Sequence, residues 1–118
     1  MKKLLLNLSL LVSLLPTLSL ASVYNCSGSG FVIDLAGDPL EMKVVGNGFN
    51  SMAQNVRANS TFDTIVTGNI LNPPASIKLT IKDSSFGNPG DSFRGNLQVS
   101  SAAGVKDFYG LNCIRGND

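Results

Sequence analysis

Two cysteines, Cys26 and Cys113, stand near the two ends of the chain that follows a short apolar leader. They are the only cysteines in the sequence, so an oxidising compartment would pair them in one disulfide. On the chain-entropy model, closing such a long loop contributes about 4 to 5 kcal/mol, which is comparable to the whole stability of a small domain. The fold must therefore bring its first and last elements side by side or face to face.

The leader has the pattern of a cleavable secretory signal. A positive start and an apolar stretch, residues 4–15, lead to small residues before a cleavage point that we expect between Ala21 and Ser22. The apolar stretch is shorter than the roughly 20 residues of a membrane-spanning helix. We therefore predict that 1–21 are a signal peptide that is removed, and that 22–118 are one exported domain, periplasmic or secreted, with no membrane span.

Apolar and polar residues alternate along most of this domain, which predicts an all-β fold of seven or eight short strands. The clearest strand is predicted over residues 76–82, and a weak one over residues 52–58. A pause is expected over residues 68–74, which end in two prolines. In the last strand, we expect Tyr109, Leu111 and Cys113 to share one face.

A disulfide between the terminal strands favours a small antiparallel barrel, because pairing the ends removes two exposed sheet edges. A β-sandwich is the alternative architecture, since it also brings the terminal strands face to face.

The residue inventory excludes several kinds of catalytic site. The sequence has no histidine, which removes Ser-His-Asp triads, Cys-His pairs and histidine-bound zinc. The loop over residues 83–91 carries oxygen donors, but an EF-hand would need glutamate where Arg94 stands. We therefore expect no enzyme, no metal and no cofactor, with a hydrolase based on two carboxylates as the remaining catalytic alternative.

Charge also limits the classes of partner. The chain holds nine Lys and Arg against eight Asp and Glu, and two of those lysines lie in the leader, so the domain is nearly neutral. Such a balance argues against nucleic acid and against anionic membrane surfaces as partners.

Five residues are candidates for contact with a partner. Lys78, Lys82 and Arg94 are expected on the outward face of one hairpin, where they form either a small positive patch for an acidic partner or an ordinary solvated surface. Phe49 and Phe86 lie in polar turn segments, where each ring must either plug a barrel end or face a partner.

The segment Tyr24-x-Cys26 and the late Cys113 resemble small periplasmic β-barrel inhibitors of c-type lysozyme. That resemblance implies a barrel fold and inhibition of a hydrolase. The inhibitors carry a Ser-Gly-x-x-Tyr motif, whereas the nearest stretch here, residues 101–107, has neither Ser before Gly nor the Tyr. The resemblance therefore covers the two ends of the domain and no inhibitory site.

These observations favour a non-enzymatic exported β domain that binds a protein or an envelope component. The alternatives are a small-ligand carrier with a barrel cavity and a periplasmic inhibitor of a hydrolase such as lysozyme. Two acidic side chains converging in a cleft would instead favour the carboxylate-dependent hydrolase.

Overall fold

A computed structural model describes residues 22–84 and 87–116, which form a single antiparallel β-sheet. The described residues contain nine strands. They are β1 Ser22–Gly28, β2 Phe31–Ala36, β3 Glu41–Gly46, β4 Phe49–Met52, β5 Gln54–Ser60, β6 Thr64–Leu71, β7 Pro74–Ile81, β8 Ser92–Ser101 and β9 Gly104–Arg115. The count exceeds the predicted seven or eight because two strands, β4 and β5, occupy the region of the single weak strand.

The sheet curls into a nearly closed barrel, as the sequence predicted in preference to a sandwich. Its strand order is β4-β3-β2-β1-β9-β8-β7-β6-β5. The two outermost strands, β4 and β5, are consecutive in the chain and are separated by Ala53 alone, so the two edges of the sheet must lie close together. The Ala53 amide donates a hydrogen bond to the Met42 carbonyl at 2.8 Å, which holds this corner against β3.

The pairing of β1 with β9 joins the two ends of the domain. All other neighbouring strands in the described sheet follow one another along the chain. Cys26 and Cys113 lie directly opposite each other in this pair and form the predicted disulfide, with an S–S distance of 2.06 Å and both side chains fully buried. The covalent bond therefore holds together two strands that lie 87 positions apart.

Alternating side chains from the strands fill the barrel. Ile77, Leu79 and Ile81 on β7 point inward, as their spacing predicted, and all three are buried. The other large aliphatic side chains that are fully buried come from five further strands. They are Ile33, Leu35, Met42, Val44, Val66, Ile70, Leu97 and Leu111.

The hairpin between β6 and β7 corrects the pause that was predicted over residues 68–74. β6 continues through Gly68 to Leu71, and β7 begins directly at Pro74, which pairs with Leu71. Pro74 is compatible with the sheet because it is the first residue of its strand, a position that proline tolerates. The interruption is therefore a two-residue turn, Asn72-Pro73.

Two predictions fall on residues outside the described part of the chain. The predicted signal peptide, residues 1–21, lies there with Ala21, while Ser22 begins β1. Phe86 also lies outside the described residues. In the part of the chain that the structure describes, no helix has the length and apolar character needed to cross a membrane.

Candidate functional site

The outward side chains of β7, β8 and β9 form a continuous polar surface, which we call the polar face. They are Lys78 and Thr80 on β7, Lys82 directly after it, Arg94, Asn96 and Gln98 on β8, and Asp107, Tyr109 and Asn112 on β9. Strand register places them in cross-strand rows, because side chains opposite each other in antiparallel strands share a face.

The three cations named from the sequence all lie on the polar face. Lys78 lies opposite Gln98. The backbone amide of Lys82 donates a hydrogen bond to the Arg94 carbonyl at 2.9 Å, so Lys82 and Arg94 are neighbours at one end of the face. Lys82 forms an ion pair with Asp63, whose Oδ2 lies 3.2 Å from Nζ. Among the described residues, Lys78 and Arg94 form no ion pair, so their charges remain available to a partner.

Asp63 anchors the end of the polar face through two hydrogen bonds. The backbone N–H of Asp83 donates to Oδ1 at 2.9 Å, and Nζ of Lys82 donates to Oδ2. The backbone hydrogen bond from Asp83 lowers the pKa of Asp63 below its ordinary value of 3.8, and the hydrogen bond from Lys82 lowers the pKa further. The folded protein therefore favours the ionised carboxylate.

Asp63→Asn is expected to lower stability at pH 7 and to have less effect in acid. A lowered pKa in the folded state stabilises the fold above the unfolded value near 3.8, and this contribution is lost as pH falls through the folded pKa. Urea unfolding midpoints at pH 7 and at about pH 3 test this, because the difference between wild type and variant should shrink in acid. Asp38→Asn, at an exposed turn residue without a hydrogen bond in the described structure, is the control. An equal loss at both pH values would contradict the assignment.

A β-bulge in β9 turns Tyr109 outward onto the polar face, which corrects the prediction that it shares a face with Leu111 and Cys113. Phe108 pairs with Leu97 and Leu111 pairs with Gly95, so Tyr109 and Gly110 together oppose Asn96 alone. The extra residue shifts the alternation by one, so that Phe108 and Leu111 both point inward. Tyr109 is 66% exposed.

The bulge is stabilised by the backbone conformation of Gly110 and by a hydrogen bond from the β1–β2 turn. Gly110 has a φ of +80°, a conformation that glycine adopts readily. Oγ of Ser29, in the β1–β2 turn, donates to the Tyr109 carbonyl at 2.8 Å. The sequence carries two signs of an irregularity in this region, the glycine after Tyr109 and the break in alternation between Phe108 and Leu111, but they do not fix which residue faces outward.

Recesses flank the exposed ring of Tyr109 on both sides. An open recess of about 760 Å³ lies between Tyr109 and Arg94 and is bordered by Asn96 and Asn112. A smaller one of about 170 Å³ lies between Tyr109 and Lys78. The tyrosine therefore forms a ridge between two depressions of mixed polar and apolar lining, the first with Arg94 at its border and the second with both Lys78 and Asp107.

The polar face also contains an acidic group that moderates its charge. Gln98 donates from Nε2 to Oδ1 of Asp107 at 3.2 Å, so this carboxylate is already hydrogen-bonded within the face. Asp83, exposed beside Lys82, lines a recess with Lys82 and Arg94 and is a further acidic group at this face. Three cations therefore stand against three carboxylates, but Asp63 and Asp107 are already hydrogen-bonded within the fold, whereas Lys78 and Arg94 form no ion pair among the described residues.

Phe49 lies apart from the polar face, at the barrel end formed by the β1–β2, β3–β4 and β8–β9 turns. Its half-buried ring stacks on Phe31, with the ring centroids 6.4 Å apart. The four predicted contact residues that the structure describes therefore do not form one site: the three cations share the polar face, and Phe49 belongs to the barrel end. Residues 101–107, the stretch compared with the inhibitor motif, form the β8–β9 turn and its flanks.

Within residues 22–84 and 87–116, no group of three or more His, Cys, Asp or Glu side chains is placed to hold a metal ion. Comparison of the chain with protein-family models, curated proteins and solved structures found no match.

Proposed function

We propose that this protein is a non-enzymatic, exported binding module that recognises an acidic protein partner through the polar face. The observation that carries the proposal is Tyr109, which the bulge projects between two recesses, with Arg94 beyond one and Lys78 beyond the other. Tyrosine and arginine are enriched among residues that dominate binding energy, because they combine large contact area with hydrogen bonding.

The unpaired cations of the polar face favour a partner with an acidic surface. Lys78 and Arg94 present cations that form no ion pair with any described residue, while the surrounding Asn, Gln and Thr side chains supply hydrogen-bond donors and acceptors. An acidic surface would gain from these cations at contact distance and would be steered toward them during encounter.

Export and the absence of enzymatic activity are part of the proposal, and they rest on the leader and on the lack of histidine in the sequence.

Capture of envelope proteins on the immobilised, oxidised protein tests this proposal. We expect Tyr109→Ser combined with Arg94→Glu to weaken retention of the partner by about tenfold or more, because both residues lie at the centre of the contact. Retention should also fall as the salt concentration rises.

The matched control combines Phe62→Ser with Lys43→Glu. Phe62 is 65% exposed, close to the value for Tyr109, and Lys43 is an exposed strand lysine outside the polar face. Retention that survives the first pair but not the control would overturn the proposal. Binding that persists after the extract has been digested with protease would assign the site to a non-protein envelope component and would equally overturn it.

A further inference from the structure

The barrel end that contains Phe49 forms a second site, which we call the mouth recess. It has a volume of about 410 Å³. Its apolar walls are Phe31, Phe49, Phe108 and Val99, and its rim includes Asn47 and Lys106. This volume lies within the range of about 300 to 1,000 Å³ that is usual for small-molecule sites.

Three phenylalanine rings from three different strands converge at the mouth recess. Phe31 is buried and forms the floor, with Phe49 stacked against it on one side. Phe108 meets Phe31 edge to face, with ring centroids 4.9 Å apart. Phe49 and Phe108 remain half-buried, so the cluster is not closed over by the described protein.

Lys106 is the charged group at this recess. It lies opposite Val99 in the β8–β9 register, and the Val99 side chain is buried in the barrel, so Lys106 shares the inward-facing side of β9. No acidic side chain lines the recess, and Lys106 forms no ion pair within the described structure. Asp107, its neighbour in sequence, points to the polar face and is hydrogen-bonded by Gln98.

Hydrogen bonds between the turns hold the recess in shape. Nδ2 of Asn47, in the β3–β4 turn, donates to the Ser29 carbonyl of the β1–β2 turn at 3.0 Å. Ser29 in turn donates to the carbonyl of Tyr109 on β9. A site that is ordered before binding loses less conformational entropy when a ligand enters.

We propose that the mouth recess binds a small carboxylate with an apolar tail, of the chemistry of a medium-chain fatty acid. The tail packs against Phe31, Phe49 and Phe108, and the carboxylate meets the ammonium group of Lys106. One apolar cleft with one unpaired cation matches a molecule that has one tail and one negative charge. This ligand differs in class and in location from the acidic protein proposed for the polar face.

Titration with octanoate, octan-1-ol and octylammonium, followed by NMR, tests the assignment on the oxidised protein. Octanoate should give saturable shifts in the rings of Phe31, Phe49 and Phe108. Lys106→Gln should weaken octanoate binding by about tenfold, because a charge-assisted hydrogen bond is lost, and should leave octan-1-ol within about twofold. Octylammonium should bind more weakly than either.

Lys43→Gln is the matched control, since Lys43 is an exposed strand lysine that does not line the recess. Lys106 is itself exposed, so its replacement leaves the core intact. Octanoate binding that is equal in Lys106→Gln and wild type would overturn the proposal, as would shifts that do not saturate or that map to another part of the barrel. Unchanged octanoate binding in the Tyr109→Ser, Arg94→Glu protein would confirm that the two sites are separate.

Discussion

Replacing Cys26 and Cys113 together by alanine is expected to lower the free energy of unfolding by about 4 to 5 kcal/mol. The two positions are 87 residues apart, and the bond restricts the unfolded chain across nearly the whole described domain. Alanine is the suitable replacement because both side chains are fully buried, and a serine hydroxyl would add the cost of burying a polar group.

The position of the bond in the sheet adds a structural reason for this loss. The β1–β9 pair is the one described neighbour pair that local hairpins do not bring together. Without the bond, closing the β1–β9 seam must overcome the full loop entropy, and two strand edges become exposed whenever it opens.

Urea unfolding of the oxidised wild type and the Cys26→Ala, Cys113→Ala variant measures the effect. Reduction of the wild type should give the same direction of change, while reduction of the variant should have none. Equal unfolding midpoints for the oxidised wild type and the variant would contradict the proposed role of the bond.

Gly95→Ala is expected to destabilise the oxidised protein by about 1 to 3 kcal/mol, through overpacking beside the disulfide. Gly95 lies on β8 facing the barrel interior, and a β-carbon built there would lie 2.6 Å from Sγ of Cys113 and 3.3 Å from Cβ of Leu111. The sulfur is the closer of the two and cannot move freely, because it is bonded to Cys26.

A double-mutant cycle separates the sulfur contact from other effects of the new methyl group. In the Cys26→Ala, Cys113→Ala background, Gly95→Ala should lower the free energy of unfolding much less, since the sulfur is absent. The effects of the two sets of substitutions on this free energy should therefore be non-additive. Gly68→Ala is the control, because a β-carbon there would meet Ala53 and Met42 rather than the disulfide. If Gly95→Ala lowers the free energy of unfolding equally in both backgrounds, the predicted clash between the new methyl group and Sγ of Cys113 is disproved.

The cations of the polar face could be predicted from the sequence and the mouth recess could not, because the two sites are assembled from the chain in different ways. The cations of the polar face were predictable because Lys78 and Arg94 lie on strands with regular alternation, Lys82 directly follows the first of them, and the chain connects those strands as neighbours. The mouth recess was not predictable as a unit. Its rings come from β2, β4 and β9, and only the β1–β9 pairing and the curvature of the sheet bring them together.

Composition and alternation in the sequence determined the all-β class, the inward face of β7 and the pairing of the two cysteines, because each depends on residue type or on neighbours along the chain. The tertiary structure decided the outward position of Tyr109, the inward position of Phe108 and the convergence of the three phenylalanines. Which way a strand residue faces depends on register with its partner strand. In β9, one extra residue opposite Asn96 reverses that direction, and the local pattern does not fix where such a bulge occurs.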